Sequence, residues 1–347
     1  MACLISPSYE EEDRPYHTEE EEELKYVGLD VHKRVIQGTV MDEDGAVLKR
    51  DRFTNSPGAL RSFMEDIGEA RVVMESGYCW QQPYQTLEEE GYDVRLAHPL
   101  KVKAIAEAKV KTDKIDSETL AHLLRANLLP ESYVPPKEIR ELRDLVKRRA
   151  FLVSTRTRFK NRIHAELTKR DVDPGTPLFT KKGMALLRSL NIDAVNQILP
   201  VIDSLDRQIA LISGELKRAA ELDERARILQ TIPGVGYYIA LLLVAEIGDV
   251  DRFPDAEKLC SYAGLVPSVR RSGDTTRYGG ITREGSRWLR WALVEAVHVH
   301  LRYDTRLTRF HRRLARKKSH QVATTATARK MLVAVYCMLK AGRPFQP

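Results

Sequence analysis

Hydrophobic and polar positions follow two different periods along the chain, and these predict two kinds of segment. Short runs rich in β-branched and aromatic residues predict strands at 26–31, 35–41, 46–53, 72–75 and 92–96. Apolar residues at helical spacing predict helices at 57–67, 81–90 and 101–108, and a further helix that begins near Asp113. Asp44-Gly45 is a hairpin turn signal between the second and third strands. Residues 24–128 are therefore predicted to form an α/β domain.

The middle of the chain, residues 129–222, has the pattern of two long helices. Pro130, Pro135 and Pro136 interrupt helical spacing and predict a linker. Further on, apolar positions alternate steps of four and three, as in the seam of a coiled coil: Ile198, Ile202, Leu205, Ile209, Ile212, Leu216 and Ala219. We expect an antiparallel helical hairpin, which either packs only on itself or also forms a dimer.

Residues 223–347 are predicted to form a mainly α-helical C-terminal domain. The segment from Leu229 to Gly236 has the form of a helix-hairpin-helix element, in which Gly234 and Gly236 permit a tight turn. Backbone amides at such a turn can hold a nucleic-acid phosphate, although an ordinary Pro-Gly junction between helices has the same sequence. Residues 1–23 have a different character and are predicted to be a disordered acidic tail.

Charge is distributed unevenly, and this points to a polyanionic partner. The whole chain carries +7, but residues 10–23 hold nine acids and one base and so carry −8, which leaves +15 on the rest. A body that basic favours nucleic acid as a partner, although basic surfaces also serve solubility. On the first hairpin helix, Arg148, Arg149 and Arg158 lie on a basic face that does not show matching acids four residues away, which favours contact with phosphates.

Composition narrows the cellular setting. The four cysteines, Cys3, Cys79, Cys260 and Cys337, lack the paired spacing of a zinc site or disulfide framework, as expected of reduced thiols in a cytoplasmic protein. No uninterrupted apolar run reaches the length of a membrane span, and the N-terminus lacks the pattern of a signal peptide. We therefore expect no membrane partner.

Four carboxylates carry the candidate chemistry. Asp30 and Glu75 end two apolar strand-like runs, and Asp113 and Asp116 are three residues apart at the start of a predicted helix, so they share one face. Individually such acids are often helix caps or solvated strand ends. Together they would repel one another unless cations lay between them, and two divalent ions held by oxygen ligands typically promote attack at a phosphodiester.

Three motifs, in this order, resemble the DEDD active site of one group of insertion-sequence transposases, the IS one-ten family: Gly28-Leu29-Asp30-Val31-His32-Lys33, Met74-Glu75-Ser76-Gly77 and Lys111-Thr112-Asp113-Lys114-Ile115-Asp116. The catalytic domain of that family resembles the RuvC Holliday-junction resolvase, whose fold is ribonuclease-H-like. The resemblance implies that Asp30, Glu75, Asp113 and Asp116 are catalytic ligands of two Mg²⁺ ions, with Mn²⁺ as a possible substitute. His32 and Lys33 are not required by this metal hypothesis.

A second resemblance lies in the C-terminal domain, over the runs 265–274 and 279–290. In the same family a loop serine followed by glycine acts together with the distant carboxylates. By that resemblance Ser272, which precedes Gly273, is the catalytic serine, and Ser268 is the second choice. Nearby Arg270, Arg271 and Arg277 would neutralise phosphate charge, although solvated surface arginines are an equal alternative.

The resemblance implies a DNA transposase or recombinase that cuts and exchanges strands of an insertion sequence. Its implied partners are donor and target DNA, a structured noncoding bridge RNA and further copies of the chain in a dimer or tetramer, in the cytoplasm and nucleoid of a prokaryote. Two alternatives remain open from the residues. A structure-selective endonuclease of the Holliday-junction type needs the carboxylates but not the serine, and a nucleic-acid-binding scaffold needs neither.

Overall fold

The computed structural model describes residues 23–105, 113–272 and 275–347 of the chain. The chain divides between Val134 and Pro135 into two compact units. The first unit contains the predicted α/β domain. The second contains the predicted hairpin together with the C-terminal helices.

The first unit is built on a sheet of five strands: β1 (Lys25–Val31), β2 (Val35–Met41), β3 (Val47–Thr54), β4 (Ala70–Glu75) and β5 (Asp93–Ala97). The strand order is β3-β2-β1-β4-β5, in which β1, β2 and β3 pair antiparallel and β4 and β5 continue the sheet parallel to β1. The helices of this unit are α1 (Pro57–Met64), α2 (Gln81–Glu89), α3 (Pro99–Ile105) and α4 (Asp113–Arg125). This α/β arrangement is compatible with the predicted RuvC-like, ribonuclease-H-like fold.

Strand alternation sorts the residues of β1 between the two faces of the sheet. Val27 and Leu29 are fully buried in the cluster that also holds residues of α1 and α2. Gly28 and Asp30 face the opposite side, where α4 packs across β1, β2 and β4. Fully buried Val73 of β4 lies in the cluster beneath α4, so Glu75, two residues later, is on the same face. The face covered by α4 is therefore the one on which the carboxylates lie.

The second unit is mainly α-helical. Its elements are α5 (Lys137–Thr168), α6 (Lys181–Ser189), α7 (Asp193–Leu222), α8 (Glu224–Leu229), α9 (Tyr237–Ile247), α10 (Ala256–Tyr262), β6 (Pro267–Ser272), β7 (Thr275–Ile281), α11 (Arg287–His300), α12 (Arg306–Ala315) and α13 (His320–Ala341). One apolar cluster joins residues of α5 and α7 to α8, α9, α11 and α13. The helices on either side of residue 222, where we predicted a domain boundary, thus share a core.

Helices α5 and α7 form an antiparallel pair. Arg149 of α5 donates to the Ser213 hydroxyl at 2.7 Å, and Arg156, two turns later, binds Asp206, which precedes Ser213. On α7 the predicted seam supplies four buried residues, Ile202, Ile209, Ile212 and Leu216. The other buried apolar positions, Val195, Leu199 and Ala220, are each one residue away from the predicted spacing or beyond it. The pairing of these helices is therefore intramolecular in this chain.

Two features of the C-terminal half differ from the sequence expectation. The serine-bearing segment, expected as a loop, is a two-stranded antiparallel ribbon of β6 and β7. The last helix, α13, is long and apolar enough to pass for a membrane span by length and composition, with a mean hydropathy of 1.2 over its best window. It nevertheless packs against α10, α11 and α12 and contributes residues such as Met331 and Leu332 to the apolar cluster, as a core helix does.

The buried histidine at the end of α11 predicts a loss of stability in mild acid. The Nδ1 atom of His300 donates to the Pro233 carbonyl oxygen at 2.7 Å, and Nε2 lies 2.7 Å from the hydroxyl of Thr305, which caps α12. Burial lowers the pKa of His300 below that of an exposed imidazole. The unfolded chain therefore binds the proton first, so the free energy of unfolding should fall as the pH drops below about 6.5.

Urea denaturation across this pH range checks the expectation. Since Asn retains an N–H donor but does not titrate, His300→Asn should be less stable than the wild type near neutral pH and lose less stability in acid. A wild type and variant with the same dependence of unfolding free energy on pH would show that His300 does not contribute.

Candidate active site

A cluster of ionisable side chains lies on the α4 side of the sheet, where β1 ends. His32 Nε2 lies 3.2 Å from Asp30 Oδ2 and 3.6 Å from Asp113 Oδ1. One ligand atom from each of these three residues lies within 4.8 Å of the other two. The structure therefore brings together Asp30 and Asp113, which the sequence predicted as partners, and adds His32, which we had not required.

The close approach of α4 to β1 is what brings Asp113 to Asp30. Gly28 lies two residues before Asp30 on the same face, and a Cβ atom there would come within 2.8 Å of the Ala121 amide nitrogen and closer still to the Ser117 carbonyl oxygen. The buried Ser117 and Thr39 hydroxyls are hydrogen-bonded at 2.8 Å, joining α4 to β2 beside Gly28. A side chain at position 28 would hold α4 away from the sheet.

Glu75 and Asp116, the other two predicted carboxylates, are not part of the close group of Asp30, His32 and Asp113. β1 and β4 are parallel and pair up to Leu29 and Met74. Asp30, the last residue but one of β1, and Glu75, the last residue of β4, therefore lie at the same edge of the sheet. Asp116 lies in the first turn of α4 with Asp113, as predicted from their spacing. The carboxylates thus come from two strand ends and one helix start.

The electrostatics of Asp30 reflect this crowding. Only 8% of Asp30 is exposed, and burial is the largest factor that raises the pKa of its carboxyl group. The nearby His32 acts in the opposite direction, whereas the charges of Asp113, Asp116 and Glu75 raise the pKa of Asp30 further. Ionisation of Asp30 is therefore less favourable than that of an exposed aspartate, and a nearby cation would offset this effect.

The donor set fits a divalent cation. Carboxylate oxygens are the ligands that Mg²⁺ and Mn²⁺ prefer, and Mn²⁺ also accepts an imidazole nitrogen. Asp30, His32 and Asp113 have suitable spacing, and Glu75 and Asp116 add carboxylates whose charges reach Asp30. The arrangement can bind a cation beside an exposed surface, since the side chain of Asp113 is 42% exposed.

Arginines of β3 lie beside these acids and were not predicted from the sequence. Arg52 Nη2 is 3.8 Å from Asp113 Oδ2, and Arg50 forms an ion pair with Glu118 of α4. Both arginines lie on the α4 face because they pair across β2 with Gln37 and Thr39, the cross-strand partners of Asp30 and Gly28. The alternation of residues along β3 already indicated that Arg50 and Arg52 share one face of the sheet. The pairing register of the strands is needed to identify the acids that these arginines contact.

Ser272 is the last residue of β6 and pairs with Thr275, the first residue of β7. The predicted serine is thus at the tip of a β-ribbon. In the register of the ribbon Arg270 pairs with Arg277, and Arg271 and Arg277 are exposed. Ser268, the second choice, lies further back against Gly279. The residues 273–274, and the lysine and threonine at 111–112 of the carboxylate motif, lie outside the described residues.

The predicted nucleic-acid-binding residues of α5 fall into two groups. Arg148 and Arg158 are exposed, whereas Arg149 donates to Ser213 and lies over the ring of Tyr238 at 4.4 Å. The premise that this face lacks acids four residues away was wrong for Arg162, which pairs with Glu166. Lys147 and Arg156 are paired as well, with the distant acids Glu246 and Asp206. The basic face is therefore smaller than predicted.

Gly234 and Gly236 have different surroundings. Gly234 has a φ of +94°, and a Cβ there would come within 2.6 Å of the Ala296 carbonyl oxygen of α11. Its packing against α11 explains this glycine without any phosphate. Gly236 precedes α9 and has open space around it. Phosphate contact through this turn stays a prediction.

Two family profiles match the chain, and both describe the same family. One, described as "Transposase" of the DEDD type, matches residues 27–170, and the other, described as "Transposase IS116/IS110/IS902 family", matches residues 226–330. The chain belongs to the IS110 family of transposases. This confirms the predicted resemblance to that family, and it confirms that the protein is of a DNA-recombining enzyme class.

Relatives extend over most of the chain. The transposase for insertion sequence element IS1111A of Coxiella burnetii is 28% identical over 81% of this chain and 79% of its own length. The transposase for insertion sequence element IS1328 of Yersinia enterocolitica is 27% identical over 79% of this chain and 83% of its own. The pilin gene-inverting protein of Moraxella bovis is 26% identical over 92% of this chain and 97% of its own. The IS110-family chain is thus similar to these proteins along most of its length.

Proposed function

We propose that this IS110-family transposase cuts and exchanges DNA strands with a divalent-cation site at Asp30, Glu75, Asp113 and Asp116 and with Ser272 as nucleophile. The observation that carries the proposal is the approach of Asp113 to Asp30, with His32 between them, at the edge where β1 and β4 end. Three further carboxylates raise the pKa of the Asp30 carboxyl group by their charges, and such crowding of oxygen ligands is suited to cation binding.

Each group in the site has a defined task in this proposal. Asp30 and Glu75 hold cations from the sheet, and Asp113 and Asp116 hold them from α4. When bound, Mg²⁺ or Mn²⁺ supplies Lewis-acid activation and neutralises phosphate charge. His32 contacts both Asp30 and Asp113 and so orients their carboxylates. Arg52 balances part of the negative charge of Asp113 from the neighbouring strand.

The serine step conserves the energy of the phosphodiester. The Ser272 hydroxyl oxygen attacks phosphorus, the bond from phosphorus to one deoxyribose oxygen breaks, and that oxygen takes up a proton to become a free hydroxyl group. A hydroxyl group of another DNA strand then attacks the phosphoserine, which releases the serine and joins the new strand. Exposed Arg271 and Arg277, on the ribbon that carries Ser272, are suited to neutralise the phosphate.

Further partners are part of the same proposal. Donor and target DNA are the substrates, and the resemblance to guided members of the family motivates a structured bridge RNA as the guide. The resemblance also motivates a dimer or tetramer in which Ser272 of one chain serves the carboxylates of another. RNA that copurifies with the chain, when it is expressed with the DNA that flanks its gene, would support the guide, and a preparation free of any specific RNA would contradict it.

Ser272→Ala tests the function directly. The variant should lose strand exchange and form no covalent protein–DNA product, whereas a Holliday-type endonuclease would still cut junctions. Ser268→Ala is the matched control and should retain strand exchange, because Ser268 lies away from the tip of the ribbon. Retained exchange by Ser272→Ala, or its loss only in Ser268→Ala, would contradict the assignment of the nucleophile.

A mixture of Ser272→Ala and Asp30→Asn proteins probes the proposed shared site. Each variant alone should be inactive, and mixed oligomers should regain part of the activity if some sites combine an intact serine with intact carboxylates. Complete inactivity in verified mixed oligomers would contradict a site shared between chains.

A further inference from the structure

An aromatic groove lies within the second unit, between α5, the start of α9 and the start of α11. Its walls include Tyr238, Trp288 and Trp291, and its rim includes Arg149, Arg158 and Arg287. The groove has a volume of about 610 Å³, within the range of pockets that hold small ligands. None of the roles proposed above uses these aromatic residues.

The three aromatic rings contact one another, and Trp291 is the most exposed of them. The Trp288 and Trp291 rings are 6.2 Å apart and nearly perpendicular, and Tyr238 meets Trp291 edge-on at 6.4 Å. Trp291 is 41% exposed, whereas tryptophan side chains are highly buried on average. Tyr238 is fixed from behind, since its hydroxyl group donates to the Val146 carbonyl oxygen at 3.1 Å. The groove is therefore preformed, with an indole available for stacking.

The rim is positively charged and is not neutralised by the chain itself. Within the described residues, no carboxylate forms an ion pair with Arg149, Arg158 or Arg287. Arg149 donates to the Ser213 hydroxyl group and lies over Tyr238, whereas Arg158 and Arg287 are exposed. Neighbouring Lys147 and Arg156, by contrast, are both paired with acids. Two of the α5 arginines that no acid of the described chain pairs with, Arg149 and Arg158, thus lie at this groove.

We propose that the aromatic groove binds an unpaired base of a single-stranded DNA segment, stacked on Trp291, while Arg158 and Arg287 contact the flanking phosphates. This inference rests on the proposed function, because strand exchange exposes unpaired nucleotides next to the cut. Aromatic side chains beside unpaired arginines are the recurrent combination by which proteins hold single strands without reading their sequence. A second copy of this chain is a poor occupant, since its own body is strongly basic.

Tryptophan fluorescence gives a direct measurement of base stacking. In a Trp80→Phe background the emission comes from Trp288 and Trp291 alone, since the chain has three tryptophans. A single-stranded DNA of about ten nucleotides should quench this emission, because site sizes of this order are typical of such proteins. The same strand with abasic sites should bind through its phosphates but quench much less.

Trp291→Ala should weaken binding of the single strand about tenfold, because stacking contributes this much per base. Binding of a duplex of the same length should not change, since its bases are already paired and stacked. Trp291→Phe retains an aromatic face and should restore most of the affinity. An unchanged melting temperature in Trp291→Ala shows that the fold is intact, as expected for an exposed side chain.

Several outcomes would overturn the proposal. These are equal losses on single strand and duplex, a larger loss of binding to single-stranded RNA than to single-stranded DNA in Trp291→Ala, and displacement of DNA by an acidic peptide with equal quenching. Failure here is distinguishable from failure of the proposed function. If Trp291→Ala binds single strands normally while Asp30→Asn abolishes cleavage, the groove assignment is wrong and the active site stands.

Discussion

Asp30→Asn is expected to abolish DNA cleavage while leaving the fold intact. The substitution replaces one carboxylate oxygen by an amide nitrogen with little change in volume, so a cation loses a charged ligand at the centre of the cluster. Folding should not suffer, because burial and the charges of Asp113, Asp116 and Glu75 already disfavour the ionised Asp30 in the absence of metal. We expect a melting temperature equal to or above that of the wild type without metal.

Two measurements separate this expectation from a general loss of structure. Titration of Mn²⁺ by calorimetry should give weaker binding to Asp30→Asn than to the wild type, and metal should raise the melting temperature of the wild type alone. Asp66→Asn makes the same chemical change in the exposed turn before β4, at the opposite end of that strand from Glu75, and should behave as the wild type. Cleavage at the wild-type rate by Asp30→Asn would refute the metal site.

The carboxylates of this site could be predicted from the sequence because each one lies in a local pattern. Asp113 and Asp116 share a helix turn by their spacing, and Asp30 and Glu75 lie at the ends of apolar strands. These positions suffice to predict that the four acids belong to one site. His32 was within reach of the same logic, since it is two residues after Asp30 and thus on the same face. We set it aside because a single histidine seldom acts as a ligand, and the structure places it against both aspartates.

The remaining features depend on contacts between distant segments. Arg52 lies close to Asp113, which is far away in sequence. Lys147 of α5 pairs with the equally distant Glu246, so the basic face of α5 is partly neutralised in a way that its own sequence does not show. The aromatic groove likewise combines Tyr238 and Trp291, whose proximity follows from how α9 and α11 pack. The strands β6 and β7 were not predicted because they contain arginine and glycine residues, which have little strand preference on their own.

Gly28→Ala is expected to disrupt the site without touching any carboxylate. The new Cβ would collide with the backbone of α4 at Ser117 and Ala121, which cannot rotate away as a side chain can. Either β1 or α4 must shift, which strains the Thr39–Ser117 hydrogen bond and moves Asp113 away from Asp30. Overpacking of this kind costs about 1–3 kcal/mol of stability, and a backbone collision belongs at the upper end.

Gly58→Ala in α1 is the matched control, because a Cβ there meets open space and alanine favours helix more than glycine does. Urea denaturation should place Gly28→Ala below the wild type and Gly58→Ala at or slightly above it. Among Gly28→Ala molecules that remain folded, Mn²⁺ affinity and cleavage should both fall, since the two aspartates no longer share a ligand. A Gly28→Ala protein with wild-type stability and cation affinity would mean that α4 does not pack closely on β1. The assignment of Asp113 to the cation site would then be contradicted.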